Sequence, residues 1–211
     1  MSRPRSAERR NAILSAATSV IASQGLGAAT AAVAKEAGVS NGSLFLYFDT
    51  KSMLMNELYV GLKTEMGAAA IAGLPAESEP REQVHHMWTQ WLRWATTNPE
   101  KRRALAQLEV SDEVTADSHH TVRQGFSGIA ELLERSRANG PMQDAPLSFV
   151  LTLTTAIAEA TIDAMIREPA DAEAHSRVGF DAIWRVLAGT PSVPSADPRP
   201  WREQTPIRIN D

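Results

Sequence analysis

Apolar residues in this chain recur every three to four positions and rarely alternate with polar ones, the spacing of helices that each bury one stripe. Over residues 8–23 the stripe is Ile13, Ala17, Val20 and Ile21, with arginines at its front, and Gly25 and Gly27 close it. Thr30 stands where its hydroxyl would cap a second helix running through Val33 and Ala34 to Ala37, and Gly38 stops that helix. Ser40 would cap a third, short helix over residues 41–48. Two helices joined by so short a glycine turn have the sequence form of a helix-turn-helix, and alanines at 32, 34 and 37 are small enough to let them cross closely.

From Lys51 or Ser52 a long helix carries Leu54, Leu58, Leu62 and Met66, and Gly73 and Pro75 end it. Pro80 precedes a helix with Val84, Trp88, Trp91 and Ala95. After Asn98 and Pro99 comes one with Ala104, Leu105, Leu108 and Val110. A single further helix is expected through Val122, Phe126, Ile129 and Leu133, ending at Asn139, Gly140 and Pro141. Residues 145–167 are apolar around most of their circumference, and residues 171–188 present Phe180, Ile183, Trp184 and Leu187. A subunit this small can hardly cover both, so pairing with the same helices of a second copy in a four-helix bundle is expected. The fold class is all-α: a three-helix head over residues 1–51, a helical body over 52–188, and a proline-rich loose tail over 189–211.

Charge sharpens the division. The chain of 211 residues has a formal net charge of −4, but residues 1–51 hold Arg3, Arg5, Arg9, Arg10, Lys35 and Lys51 against Glu8, Glu36 and Asp49, leaving the remainder strongly acidic. A positive head on a negative body suits a polyanionic partner for the head. No uninterrupted apolar run follows the basic start, and the most apolar stretch carries Glu159 and Asp163, so a cytoplasmic protein without a membrane span is expected. The absence of cysteine excludes thiol catalysis, disulfides and cysteine-based zinc sites.

Residues 9–54 resemble the DNA-binding head of the TetR family of bacterial transcriptional regulators. The likeness rests on Ile13 and Ala17, on Gly25 before Thr30, on Val33 and Ala34, and above all on AGVSNGSLFLYFDTKSML from Ala37 to Leu54. The resemblance implies a homodimer that binds a pseudo-palindromic, double-stranded DNA operator and is released by a small effector. Position by position, it implies that Thr30 contacts phosphate as a helix cap, and that Asn41 and Gly42 read base edges in the major groove. Ser40 and Ser43 become capping and phosphate-binding hydroxyls, and Tyr47 and Lys51 clamp the sugar-phosphate backbone. Leu44 and Phe48 would face inward. The chain departs from the family at Phe45 and Leu46, where tyrosine and a polar or aromatic residue are usual. Both side chains could touch thymine methyl groups, or pack against a neighbouring helix.

Catalytic and metal readings find less support. His85, His86, His119 and His120 lie near Glu109, Asp112 and Asp117 in sequence, but adjacent histidines on a helix point about 100° apart and no pair at i and i+4 occurs. No metal site, cofactor or catalytic residue is assigned, because neither a G-x-S-x-G elbow nor a phosphate-cradling glycine loop is present. Large apolar side chains between bundle helices suit a small hydrophobic or aromatic effector, with Met87, Trp88, Trp91 and Phe126 as lining candidates, against plain core packing as the alternative. The sequence therefore points to a ligand-responsive transcriptional regulator, a repressor by preference. The alternative is a helical small-molecule-binding protein or enzyme whose amino-terminal hairpin is only structural.

Overall fold

The structure is a computed structural model that describes residues 3–189, and the described residues form helices without a strand. The tail expected over 189–211 lies, apart from Gly189, outside the described residues. Ten α-helices follow in order: α1 Arg3–Gln24, α2 Thr30–Glu36, α3 Asn41–Phe45, α4 Lys51–Ile71, α5 Pro80–Thr97, α6 Pro99–Glu109, α7 Ala116–Gly125, α8 Ser127–Arg137, α9 Leu147–Arg167 and α10 Ala172–Ala188. A 3₁₀ turn, Pro169–Asp171, separates the last two.

The first three helices pack around Ile13, Ala17, Ile21, Val33, Leu44 and Phe48, all of them nearly or fully withdrawn from solvent. The turn between α2 and α3 needs a left-handed residue, and Gly38 supplies it at φ +68°. The amide of Val39 then closes back onto the carbonyl of Ala34 at 2.9 Å, satisfying a helix-end acceptor. Ser40 caps α3 as expected, accepting the amide of Ser43 at 3.1 Å. Thr30 does not cap α2: the capping position belongs to Ala29, and Thr30 is the first helical residue, with no cap bond from a side chain.

The head is seated on the body through two elements. Helix α1 lies against α6, where Gln107 donates to the carbonyl of Ile21 at 3.0 Å and Ser19 donates to Glu100 at 2.9 Å. Helix α4 starts under the head and runs on into the body, packing against α5, α6 and α7. Its first turn is capped by Thr50, which accepts the amide of Met53.

The expected helix through Val122 and Leu133 is instead two helices, α7 and α8, that meet at Phe126. Gly125 and Gly128 flank the break, and glycine's backbone freedom makes an unbroken helix costly there. Val110 is also displaced from its expected stripe. It follows the last turn of α6 and is 82% exposed.

At the far end of the body, α5, α9 and α10 converge on Gly179. A Cβ built there would lie 2.3 Å from Thr161 Oγ1 and 2.7 Å from the Trp88 ring. Trp88 is 3% exposed and donates its indole N–H to the carbonyl of Ser176 at 3.0 Å. Gly179→Ala should therefore destabilise the protein by about 1–3 kcal/mol through overpacking. Gly61→Ala, on an exposed face of α4 with open space around it, should stabilise by roughly 0.5–1 kcal/mol. Denaturant unfolding of both variants checks the pair of opposite signs.

Candidate functional site

Helix α3 presents two faces of different chemistry. Leu44 and Phe48 are 0% exposed, and each successive residue turns about 100° around the axis. Taking Asn41 as origin, Phe45 falls at about 40°, Gly42 at about 100° and Leu46 at about 140°, one contiguous arc. All four residues on this arc are exposed, Phe45 at 38% and Leu46 at 84%. Ser40 is exposed at the start of the same edge, while Ser43, Tyr47, Thr30 and Lys51 are half-buried beside it. The hydroxyls of Ser40 and Ser43 are 2.8 Å apart and share a hydrogen bond.

Two basic side chains of the head are tied inward. The Lys51 ammonium donates to the carbonyl of Leu26 at 2.6 Å and so fastens the start of α4 to the turn after α1. Arg10 pairs with Glu57 of α4, and its guanidinium lies 5.1 Å from the centre of the Phe48 ring. Arg9 and Lys35 are exposed. Part of the head's positive surplus thus holds the head together and holds it to α4. Spacing could not show this, because the partners are a backbone carbonyl and an acid on another helix.

A cavity of about 400 Å³ opens in the body between α4, α5, α7 and α8. Met87 and Phe126 line it, together with Thr64, Gly67, Ile71, Val122, Ile129 and Leu132. Its wall carries no charged side chain. Trp88 and Trp91 do not line it. Trp88 belongs to the α5–α9–α10 junction, and Trp91 is half-buried edge-on against it at a ring separation of 6.4 Å. The Phe126 ring rests on Gly67 so closely that a Cβ there would lie 2.8 Å from its tip.

Sequence reasoning missed the fastening between this cavity's walls and the head. Asn56, on the second turn of α4, donates to the carbonyls of Ser52 and Glu113 at 2.8 Å each. Its side-chain oxygen accepts the amide of Thr115 at 2.8 Å and the hydroxyl of Ser118 at 2.7 Å. One amide thereby joins the start of α4 to the α6–α7 loop and the first turn of α7. One turn on, the Tyr59 hydroxyl meets Nδ1 of His119 at 3.0 Å. Burial first, then the charge of Glu109, pushes the phenol's pKa up, so Tyr59 keeps its proton. Three other histidines also have partners: His86 bonds the carbonyl of Ala72 at 2.8 Å, His85 sits edge-on to Phe180, and His175 meets Glu168 at 2.9 Å.

The chain thus joins a helix-turn-helix head with an exposed edge on α3 to a helical body with an uncharged, largely apolar cavity. Residues 13–58 match the sequence profile of the bacterial regulatory proteins of the tetR family. Solved structures agree over nearly the whole chain. A TetR-family transcription regulator from Shewanella sp. PV-4 superposes with a TM-score of 0.77 at 27% identity, covering 85% of this chain and 97% of that one. One from Marinobacter aquaeolei VT8 gives 0.74 at 18% identity, over 88% and 98%. The TetR-like regulator LfrR from Mycobacterium smegmatis, determined in complex with proflavine, gives 0.59 at 20% identity, over 88% and 99%. Residues 13–58 thus carry the DNA-binding domain of the tetR family, and the chain as a whole has the fold of solved TetR-family regulators.

Because Lys51 carries a charged internal hydrogen bond, Lys51→Met should lower stability by about 1–3 kcal/mol. A lysine that only waited for phosphate would change it by less than about 0.5 kcal/mol. Urea unfolding in the absence of DNA decides between these roles.

Proposed function

We propose that this protein is a ligand-responsive transcriptional repressor of the cytoplasm, acting without catalysis, that binds a pseudo-palindromic operator as a homodimer. The observation that carries the reading is the exposed arc Asn41, Gly42, Phe45 and Leu46, held outward by the complete burial of Leu44 and Phe48. An exposed edge on a short, projecting helix suits the major groove of B-form DNA. Thr30, Ser40, Ser43, Tyr47 and Lys51 flank it as phosphate-contacting groups. Lys51 retains N–H donors beyond the one given to Leu26, and Thr30, freed of the capping duty expected of it, offers its hydroxyl to the backbone of the duplex. The head comprises residues 1–51 and the body 52–188, with α4 mechanically shared.

The dimer follows from α9 and α10. Helix α9 is apolar enough and long enough to cross a membrane, with a mean hydropathy of 1.5, yet only 28% of that stretch is buried within the subunit. Phe149, Leu151 and Ile166 on α9 and Val178 on α10 are exposed. Glu159 and Asp163 on the same helix pair with Arg102 of α6, an arrangement suited to a water-facing protein. A second copy of the two helices would cover the apolar face in a four-helix bundle.

The effector is a small hydrophobic or aromatic molecule bound in the 400 Å³ cavity, touching Met87 and Phe126. Helix α4 forms one wall of that cavity and begins beneath the head, and Asn56 fastens it to the segment leading into α7, another wall. An effector that fits best when α7 and α4 are displaced therefore favours head separations that miss successive major grooves, and DNA affinity falls.

Selection from random duplex DNA should recover an inverted repeat. Binding to it should weaken steeply with salt, and Asn41→Ala should relax sequence choice while keeping that salt slope. Recovery of no preferred duplex by the full-length chain would overturn the reading.

A further inference from the structure

The reading edge of α3 is unusual in its chemistry, and that chemistry constrains the operator. Among its four exposed residues only Asn41 offers hydrogen bonds, Gly42 has no side chain, and Phe45 and Leu46 are large and apolar. The commonest contact that selects guanine, a bidentate arginine or lysine on O6 and N7, has no counterpart within α3. Leu46 is the more telling of the two apolar residues. At 84% exposure it packs on no neighbouring helix, which removes the purely structural role left open by the sequence. Phe45, at 38%, lays part of its ring on the head and leaves part outward on the same arc.

The major-groove edge of a base pair offers one apolar group, the C5-methyl of thymine. We propose that Phe45 and Leu46 are specificity-determining residues that recognise thymine methyl groups, so that each operator half-site carries A·T pairs where the carboxyl-terminal end of α3 lies. Asn41, about 140° of arc from Leu46, pairs its amide with adenine N6 and N7 on a neighbouring step. The half-site is thus read by methyls and one adenine, and the phosphate contacts around the edge supply affinity without choosing sequence. The inference rests on the regulator reading above and specifies what its edge distinguishes.

Single-atom-group changes in the DNA test it. In the selected duplex, each thymidine of a half-site is replaced in turn by deoxyuridine, which removes the methyl and leaves every hydrogen-bonding group in place. At one or two positions binding should weaken by about four-fold, the effect of one methyl group leaving an apolar contact. Leu46→Ala should abolish the discrimination at one of them, and 5-methylcytosine opposite guanine should retain more affinity there than cytosine does. Because Leu46 is exposed, the variant's thermal unfolding should match the wild type's, which separates loss of readout from loss of fold. Equal affinity for thymidine and deoxyuridine at every position, with specific binding intact, overturns the methyl readout alone. Failure to select any duplex overturns the regulator reading itself.

Discussion

Everything this protein offers to a partner at its amino terminus depends on the burial of two side chains, Leu44 and Phe48. Both are fully enclosed, and Arg10 closes over the Phe48 ring while pairing with Glu57 of α4. A five-residue helix has little stability of its own, since the cost of its first turn is hardly recovered in so short a length. Tertiary anchoring therefore sets both its existence and its orientation. With Leu44 pinned inward, the helical rotation turns Gly42 and Leu46 directly outward and leaves Asn41 and Phe45 on the exposed flank. The turn at Gly38 and the cap at Ser40 fix where that rotation begins.

The second constraint is that α4 serves two masters. Lys51 in its first turn and Glu57, Arg10's partner, in its second fasten it to the head, Asn56 in the second turn fastens it to the α6–α7 loop, and its last turns wall the cavity. Charges that would otherwise face a polyanion are partly spent inside the protein. The head's electrostatics and its mechanical attachment are thus drawn from the same residues, and removing one basic side chain changes both. Among the described residues, the cavity's uncharged wall and the paired Glu159, Asp163 and Arg102 on the outer face show the same division between apolar interior contacts and polar solvent-facing ones.

Where local chemistry decides structure, the sequence was legible. Glycine at 38, serine at 40, proline at 80 and 99 and the stripes in α1, α4 and α5 each announce an element that the structure contains. The inward pair Leu44 and Phe48 was equally plain, being four apart on the helix expected over 41–48, although the structure ends α3 at Phe45 and buries Phe48 just beyond it. What escaped depended on contacts between distant segments. The break at Phe126 follows a ring seated on Gly67, some sixty residues away, although Gly125 and Gly128 were a usable hint. Trp88 looked like a pocket residue because tryptophan suits pockets, but the missing Cβ of Gly179 opens a tighter seat for it between α9 and α10. Thr30 looked like a cap because threonine suits caps, but Ala29 takes that position. Asn56 carried no sequence signal for its role, since the partners that make it a fastening, Glu113, Thr115 and Ser118, are backbone groups and a hydroxyl more than fifty residues downstream.

In the proposed homodimer the outward edge of α3 occurs twice, and both copies would face one duplex. Hydroxyl-radical footprinting of the full-length protein on a selected operator measures this directly. Two protected windows on one face of the duplex, their centres about 10–10.5 base pairs or a multiple of that apart, are the expected result. A single window, or two windows on opposite faces, would contradict a paired reading edge.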